Sequence, residues 1–407
     1  MKILIVSATL PPEATATANL LKIIGEHFSE MGHTVHGLTL KESYTDAFEM
    51  SVGHMTVYKA DHILYSPAVR RCPRDFLHAC FRKMESIFNS ERKTIYFERV
   101  VRKLVQALRN IKAEKYDAII AACAYYDAIE AVLRYKNSIH SNVPVFLYQV
   151  DPLMNNTAYR YIPEEKVQEA EKRIYESCSA VFTTPIIAKS KLDANWDVQK
   201  VIPVEFPGVE QSLNKKIEPK NENEIRCIFT GYLYEDIRNA EFTLKLFSQF
   251  HDPRIRLYIL GKGQEALLNA YALGQLKGRL FCMGQKSNEE CGAWINGSDI
   301  LVNIGNTVIN QVPSKIFSYI STGKPILNIC KSSACPTIPY LERYPYARNV
   351  IEGAAVSGEL AEEVENWILK MAGKSMSYTV IEKEFENCTG NYIAKQMISV
   401  IQGYVEG

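Results

Sequence analysis

Short apolar runs alternate with amphipathic segments along most of the chain. Runs such as KILIVSAT and YDAIIAAC are apolar over their whole length and bounded by turn residues, which is typical of buried parallel strands. Between them, segments such as NLLKIIGEHFSEMG place apolar residues at helical spacing and end on glycine. The order strand, loop, helix, strand predicts βαβ units. The pattern therefore predicts an α/β protein with doubly wound parallel sheets.

The alternation stops once and then restarts, which predicts two Rossmann-like domains. The polar and charged segment QSLNKKIEPKNEN, residues 211–223, is expected to link a domain of residues 1–210 to a second domain of residues 224–375. Two amphipathic helices, ELAEEVENWILKMAG and VIEKEFENCTGNYIAKQMISVIQGYV, are predicted towards the end of the chain. For the last segment, 376–407, packing back on the first domain is one option. Two open sheets in one chain are expected to face each other across a ligand-binding cleft.

Composition and charge narrow the classes of function. The chain has 407 residues, 47% hydrophobic and 23% charged, and a net charge of +1, which argues against a nucleic-acid-coating protein. Residues 70–115 hold thirteen Lys or Arg against five Asp or Glu, with aromatic residues between them. This segment predicts either a peripheral contact with anionic lipid or an ordinary solvated helix face.

Several other classes of site are not expected. No run of about 18 apolar residues occurs, and the apolar core of MKILIVSATLPPEA is too short for a signal peptide. We therefore expect a cytoplasmic protein, at the inner face of the cell membrane if the basic segment contacts lipid. The ten cysteines form no CxxC pair and the eight histidines no HExxH set, so neither a metal, a cofactor nor a disulfide framework is predicted.

The segment NQVPSKIFSYISTGKPILNI, residues 310–329, predicts a helix that Pro313 opens and a glycine closes, followed by a buried strand. By their spacing, Ser314, Lys315 and Ser318 share one face of that helix. The free N–H groups at the helix start and the charge of Lys315 favour an anion. A solvated polar face explains the same spacing.

Two further loops follow predicted strands. In FTGYLYEDIRN, Arg238 lies near a predicted helix start, where a bound anion would offset its unfavourable position; an ion pair with Glu235 or Asp236 is the alternative. In LYILGKG, Gly261 and Gly263 fit either a phosphate-binding turn or a tight strand-to-helix turn.

The first half offers carboxylates at the ends of predicted strands. Asp151, in YQVDP, is either a catalytic group or simply a turn residue before proline. Glu13, in the loop after the first strand, is expected to face the same cleft.

In this order and spacing, FTGYLYEDIRN, LYILGKG and VPSKIFSYISTGKPIL resemble the glycosyltransferases of the GT-B fold, above all the family-four-like group that builds bacterial polysaccharides. The resemblance covers the second domain, and the first matches only in pattern. It implies transfer of a hexose-type unit from a nucleoside diphosphate sugar, by expectation a UDP-sugar, to a glycan or lipid-linked acceptor, with retention and without a metal. A nucleotide-sugar epimerase on the same fold and a catalytically silent partner subunit remain alternatives.

The resemblance also implies roles for individual residues. Arg238, Ser314 and Lys315 would hold the donor diphosphate, with Arg238 and Lys315 stabilising it as it leaves, while Gly284 and Gln285 would face the base. The other implied donor contacts are Gly231, Tyr232, Gly261, Gly263, Asn310, Pro313 and Ser318.

The sequence departs from this group at three positions. Many relatives carry two Glu residues eight positions apart, where this chain has Asn310 and Ser318, and many have Arg where it has Tyr232. On the acceptor side, Asp151 is expected to accept the hydroxyl proton or to orient the acceptor. The predicted acceptor contacts are Asp151, Glu13, Thr15 and Thr17.

Overall fold

The computed structural model describes residues 1–11, 15–61, 71–77, 80, 94–122, 126–151, 153, 159, 161–193, 196, 199–211, 216–308 and 311–407. Its contacts divide the chain into two compact units. Unit 1 comprises Met1–Pro207 together with Gly390–Gly407, and unit 2 comprises Gly208–Thr389. Each unit contains one largely parallel sheet, so the predicted α/β class with two doubly wound domains is confirmed.

Unit 1 is built on one sheet whose strands are β1 (Lys2–Val6), β2 (Thr34–Leu40), β3 (Glu49–Val52), β4 (Met55–Ala60), β5 (Ala118–Ala122), β6 (Val145–Gln149), β7 (Ala180–Thr183) and β8 (Val201–Pro203). Their order across the sheet is β3-β4-β2-β1-β5-β6-β7-β8, and among these described strands β3 and β4 pair antiparallel while the other neighbours pair parallel. Strands β5 and β6 are buried along their whole length, as their continuous apolar sequences predict.

The described helices of unit 1 are α1 (Ala16–Glu30), α2 (Glu98–Asn110), α3 (Tyr126–Ser138), α4 (Glu164–Ser177), α5 (Pro185–Asp193) and, at the end of the chain, α13 (Gly390–Val405). Helix α13 packs against α1, and its Tyr404 ring contacts Phe146 of β6, with the ring centroids 5.6 Å apart. The last helix therefore completes unit 1, whereas residues 376–389, which the option raised from the sequence also included, belong to unit 2.

Unit 2 has six parallel strands: β9 (Ile225–Thr230), β10 (Ile255–Leu260), β11 (Leu280–Gly284), β12 (Ile300–Ile304), β13 (Ile326–Cys330) and β14 (Ala347–Ile351). They lie in the order β11-β10-β9-β12-β13-β14. The described helices are α6 (Glu241–Ser248), α7 (Glu265–Leu273), α8 (Asn288–Asn296), α9 (Lys315–Ile320), α10 (Ile338–Glu342), α11 (Gly358–Met371) and α12 (Tyr378–Glu384).

The segment predicted as a linker differs from a free connection. From Lys216 onward it packs on unit 2: the Glu218 N–H donates to the Ala293 carbonyl (2.9 Å), and the Arg226 guanidinium donates to the carbonyls of Glu218 (3.2 Å) and Pro219 (2.9 Å). The division between the units falls earlier, between Pro207 and Gly208. Polar composition alone therefore does not distinguish a free linker from a segment whose backbone is hydrogen-bonded to the neighbouring domain.

The prediction of one helix over VIEKEFENCTGNYIAKQMISVIQGYV is wrong. The chain leaves the helical path at Phe385, passes through a 3-10 turn, Glu386–Cys388, and enters α13 at Gly390. The two amphipathic halves pack in different cores, because α12 belongs to unit 2 and α13 to unit 1.

Strands β3, β4 and β14 and helix α10 were not predicted from the sequence. Within the described part of 70–115, helical structure occupies 73–77, position 80, α2 and a 3-10 turn, Ala113–Lys115. None of the helices that the structure describes is both long and apolar enough to cross a membrane.

Candidate functional site

A tight loop follows β9 and positions Arg238. Tyr234 and Arg238 exchange two backbone hydrogen bonds of 3.0 Å each. Leu233, just before them in the loop, is buried. Leu233 also donates its N–H to the Lys262 carbonyl of the neighbouring loop (2.9 Å). Arg238 therefore lies on a fixed backbone at the carboxyl edge of the sheet, where ligands of parallel α/β sheets bind.

The Arg238 side chain is held by neutral groups only. Its Nε donates to Asn306 Oδ1 (2.9 Å), and Nη1 lies 3.5 Å from the Tyr232 carbonyl oxygen. Among the described residues it forms no ion pair, and the predicted alternative partners Glu235 and Asp236 are both described. Burial lowers the pKa of the Arg238 guanidinium from its ordinary value. The alternative of a surface ion pair is therefore excluded.

Lys315, the first residue of α9, reaches the same edge. Its Nζ donates to the Thr230 carbonyl at the end of β9 (2.5 Å). Burial lowers the pKa of this amine to about 8, with the charge of Arg238 acting in the same direction and Cys291 opposing it. Within the described chain no carboxylate pairs with Lys315.

Gly231 lies between the two cationic groups. A Cβ atom built on Gly231 would be 3.4 Å from Lys315 Nζ and 3.6 Å from Arg238 Nη1. Both groups therefore lie within contact distance of the position that a side chain at Gly231 would occupy. Two adjacent uncompensated cations suit a ligand with two linked anionic groups.

Gly261 and Gly263 have a structural explanation. A Cβ on Gly261 would lie 1.7 Å from the Gly231 carbonyl oxygen, and one on Gly263 would lie 1.9 Å from the Leu233 carbonyl oxygen. Both also have positive φ, +154° and +101°. The two glycines thus let the loops after β9 and β10 approach each other, which is the tight-turn reading of LYILGKG. Ligand contact by these glycines stays a prediction.

The other predicted residues of α9 point in different directions. Ser314 precedes the helix and is half-buried, whereas Ser318 is exposed and donates to the Lys315 carbonyl (2.8 Å). Lys315 turns towards β9, so the three side chains predicted on one face are not equivalent. The helix begins at Lys315, so Pro313 lies two residues before it and does not open it as predicted. Asn310 lies outside the described residues.

The remaining donor candidates lie on neighbouring loops. Gly284 accepts the Gly261 N–H on its carbonyl (2.9 Å), and Gln285 after it is exposed. Tyr232 is 46% exposed, and its ring is stacked with that of Tyr234, with centroids 6.2 Å apart. Base or sugar recognition by these residues stays a prediction.

The acceptor candidates belong to unit 1. Asp151 follows β6 and accepts the Gln149 side chain on its carbonyl (3.2 Å). Thr15 caps α1 by accepting the Ala18 N–H (3.1 Å), and Thr17 is buried. Glu13 lies outside the described residues. Acceptor contact by Asp151, Glu13, Thr15 and Thr17 stays a prediction.

Three residues of the site were missed in the sequence. Asn306 follows β12 and accepts a hydrogen bond from Arg238. Its position at the end of a predicted strand, in NIGN, is a sequence signal that could have identified it. Thr230 and Tyr319 lie behind Lys315 and form two hydrogen bonds described below. Both look like core residues in the sequence, so no pattern distinguishes them.

Among the described residues, no cluster of three or more His, Cys, Asp or Glu is placed to hold a metal.

The fold resembles that of solved structures. The sequence itself matches no protein-family model and no curated protein. A sucrose-phosphate synthase from Thermosynechococcus elongatus superposes with a TM-score of 0.65 at 14% identity, covering 99% of this chain and 98% of that one. A lipopolysaccharide outer core galactosyltransferase gives a TM-score of 0.60 at 12% identity, with 99% of each chain covered.

The chain has the GT-B fold. A protein of Listeria monocytogenes assigned as a UDP-N-acetylglucosamine 2-epimerase is also similar, with a TM-score of 0.57 at 11% identity over 100% of this chain and 96% of that one. At such identities the likeness extends to the fold, and activity has to be argued from the site.

Proposed function

We propose that this protein is a glycosyltransferase that uses a nucleoside diphosphate sugar, most simply a UDP-sugar. The observation that carries the proposal is the pair Arg238 and Lys315, which flank Gly231 and are held by neutral groups only. A diphosphate presents two linked anionic groups, and both cations can bind it without first breaking an ion pair. The similarity to sugar-transferring proteins of the same fold supports this ligand class.

In the proposed reaction the bond between the sugar and the diphosphate breaks, and negative charge builds up on the departing phosphate. Arg238 and Lys315 are already oriented where that charge develops, so they stabilise it without rearrangement. In a metal-independent reaction these fixed cations supply the positive charge. Asp151 is proposed to accept the acceptor's hydroxyl proton or to orient the acceptor.

The finer parts of the proposal follow the resemblance in the sequence. They are retention of configuration, a glycan or lipid-linked acceptor, and a role in bacterial surface polysaccharide synthesis. A neighbour named as a lipopolysaccharide galactosyltransferase supports such an acceptor. Contact of residues 70–115 with an anionic membrane, at the cytoplasmic face, remains a prediction, and much of that segment lies outside the described residues.

A thermal-shift screen with UDP, GDP, dTDP and CMP tests the diphosphate site. A ligand present at about 100 times its dissociation constant stabilises the folded state by about 2.7 kcal/mol, which a melting curve resolves. We expect one or more diphosphates to raise the melting temperature, and Arg238→Ala and Lys315→Ala to abolish the shift. Lys277→Ala, which removes an exposed lysine elsewhere in unit 2, should retain it. No shift with any nucleotide would overturn the proposal.

Product analysis separates the alternatives. The nucleotide that binds is supplied as its sugar ester, with and without a crude lipid-glycan acceptor fraction. Release of the nucleoside diphosphate that depends on acceptor supports the transferase. Conversion of the donor sugar without acceptor favours the epimerase, and binding without turnover favours a silent subunit.

A further inference from the structure

We propose that Tyr319 is a positioning residue of the candidate diphosphate site, fixing Thr230 at the end of β9 so that its carbonyl holds the Lys315 ammonium. The inference rests on the proposed function, since it assigns a role within the same site. Tyr319 itself is fully buried and cannot touch a ligand.

The contacts form a short chain from the core to the charge. The Tyr319 hydroxyl accepts the Thr230 N–H (3.1 Å) and shares a second hydrogen bond with Thr230 Oγ1 (3.1 Å). The carbonyl of the same residue accepts from Lys315 Nζ (2.5 Å). Both backbone groups of Thr230 are therefore bound by side chains of α9.

The sheet explains why these groups are available. Strand β12 pairs with β9 only at Ile300–Cys227 and Leu301–Ile228, and the two strands are no longer paired at Thr230. On the other side, β10 remains paired up to Leu260 opposite Thr230. A buried N–H and C=O without a ladder partner must be satisfied in another way.

Lys315 and Tyr319 supply that partner together. They lie four residues apart on α9, so their side chains lie on the same side of the helix, one turn apart. Lys315 binds the carbonyl and Tyr319 the N–H, so the pair replaces the missing strand at this position. Burial raises the pKa of Tyr319 to about 12, so its hydroxyl remains protonated at neutral pH.

This arrangement orients a charge without neutralising it. A carboxylate beside Lys315 would fix the amine but cancel its charge, whereas a carbonyl fixes it and leaves the full charge for a ligand. The Thr230 carbonyl belongs to the next peptide, whose Gly231 N–H donates to the Leu260 carbonyl (2.8 Å), so Tyr319 fixes it from the other side of the same residue. Without Tyr319, Thr230 loses the partner of both its N–H and its hydroxyl, and the acceptor of the amine is held less firmly.

The alternative is that Tyr319 only satisfies a buried N–H and stabilises the fold. Tyr344 provides a matched control for that role. It is also almost fully buried in unit 2, and its hydroxyl donates to the Lys324 carbonyl (2.8 Å), away from Arg238 and Lys315 in the hydrogen bonds of the described residues. Tyr319→Phe and Tyr344→Phe delete the same atom from similar surroundings.

The first measurement is UDP affinity by calorimetry, with inorganic pyrophosphate as a probe that has no base. We expect Tyr319→Phe to weaken both by about five- to tenfold, the effect of one well-placed hydrogen bond, and Tyr344→Phe to leave both unchanged. Equal affinities of Tyr319→Phe and wild type would overturn the inference. Loss of affinity in both tyrosine variants would also overturn it, because the effect would then be one of stability.

A double-mutant cycle shows whether Tyr319 acts through Lys315. If it does, Tyr319→Phe has no further effect on pyrophosphate or UDP affinity in a Lys315→Met background. Additive losses would assign Tyr319 an independent role and contradict the proposal. If Tyr319→Phe fails to fold, Thr230→Val, which removes the other hydroxyl of the pair, takes its place in the cycle.

The pH profile of UDP affinity is a readout that a purely structural tyrosine does not move. Affinity should fall in wild type as Lys315 loses its proton. In Tyr319→Phe the midpoint should move up towards that of an exposed lysine, because the released amine turns to water. An unchanged midpoint would contradict the proposal. A wild-type protein that binds neither probe would instead refute the proposed function, so the two failures are distinguishable.

Discussion

Two lysines, one buried in unit 1 and one half-buried in unit 2, are held in opposite ways. In unit 1, Lys191 Nζ lies 2.5 Å from Glu171 Oε2, and both side chains are almost completely buried. Gln149 donates to the other oxygen of the same carboxylate (3.0 Å). In unit 2, Lys315 has a carbonyl as its partner and no carboxylate among the described residues. The first lysine is neutralised and belongs to the architecture, whereas the second keeps its charge available for a ligand.

The largest expected effect is on the stability of unit 1. Lys191→Met leaves the Glu171 carboxylate buried and without its cation, which should lower the free energy of unfolding by about 3–5 kcal/mol. Denaturant unfolding followed by fluorescence measures this change. Lys189→Met, an exposed position on the same helix, is the control and should change stability little. A small effect of Lys191→Met would contradict the distinction between a lysine neutralised by a buried ion pair and a lysine that keeps its charge for a ligand.

Lys315→Met should give the reverse pattern. Removing this charge leaves no buried ion behind, only the Thr230 carbonyl without its partner, so the ligand-free protein should lose at most about 1–3 kcal/mol, less than Lys191→Met loses. UDP affinity should fall about 10- to 100-fold, since a hydrogen bond to a charged group is lost. Calorimetry and denaturant unfolding on the same sample test both statements. A large loss of stability with intact UDP binding would reverse the roles assigned to the two lysines.

A carboxylate introduced at Asn306 would make the site in unit 2 resemble the pair in unit 1. In Asn306→Asp the new group lies on Arg238 Nε, where the amide oxygen is now at 2.9 Å. We expect unchanged or higher thermal stability and about tenfold weaker UDP binding, because the guanidinium is neutralised and phosphate is repelled. Asn303→Asp, a change of the same kind within β12 at a buried amide that bonds Asn328 (2.7 Å), should lower stability instead. Unaltered UDP binding in Asn306→Asp would count against Arg238 as a ligand group.

The smallest effect is the pH dependence of the wild type. Because burial lowers the pKa of Lys315 to about 8, below the 10.5 of a free lysine, the folded protein releases this proton before the unfolded chain does. The contribution of Lys315 to stability therefore rises with pH between about 8 and about 10.5, while UDP affinity falls over the first part of that range. Calorimetric titrations across this range test the sign, and Lys315→Arg should flatten the affinity profile. An affinity that rises with pH would contradict the assignment.

Periodicity was sufficient to predict the architecture, and position near a predicted helix start was sufficient to single out Arg238 and Lys315 as candidates. The apolar runs that became β1, β5, β6 and β9 are continuous because both faces of those strands are buried, and a helical period separates them. Arg238 and Lys315 were identified because charged residues near helix starts and strand ends are electrostatically unusual.

The rest depends on tertiary contacts that no local pattern encodes. In the sequence, Tyr319 and Thr230 look like ordinary core residues. Their polar atoms hydrogen-bond to each other because β12 stops pairing with β9 before Thr230. Ser318 and Lys315 are close on a helical wheel, yet one is exposed and the other faces the sheet. The break at Phe385 reflects which core each half-helix enters, and that choice is invisible in a continuous amphipathic pattern.

The return of the chain to unit 1 at Gly390 sets the order in which the two units can be completed. All of unit 2, residues 208–389, precedes the helix that packs on α1, so unit 2 has its whole sequence before unit 1 does. During synthesis, the apolar surface of α1 that this helix covers therefore stays exposed to solvent until unit 2 has been synthesised. Deleting residues 390–407 should therefore leave unit 2 intact and expose the first domain to aggregation.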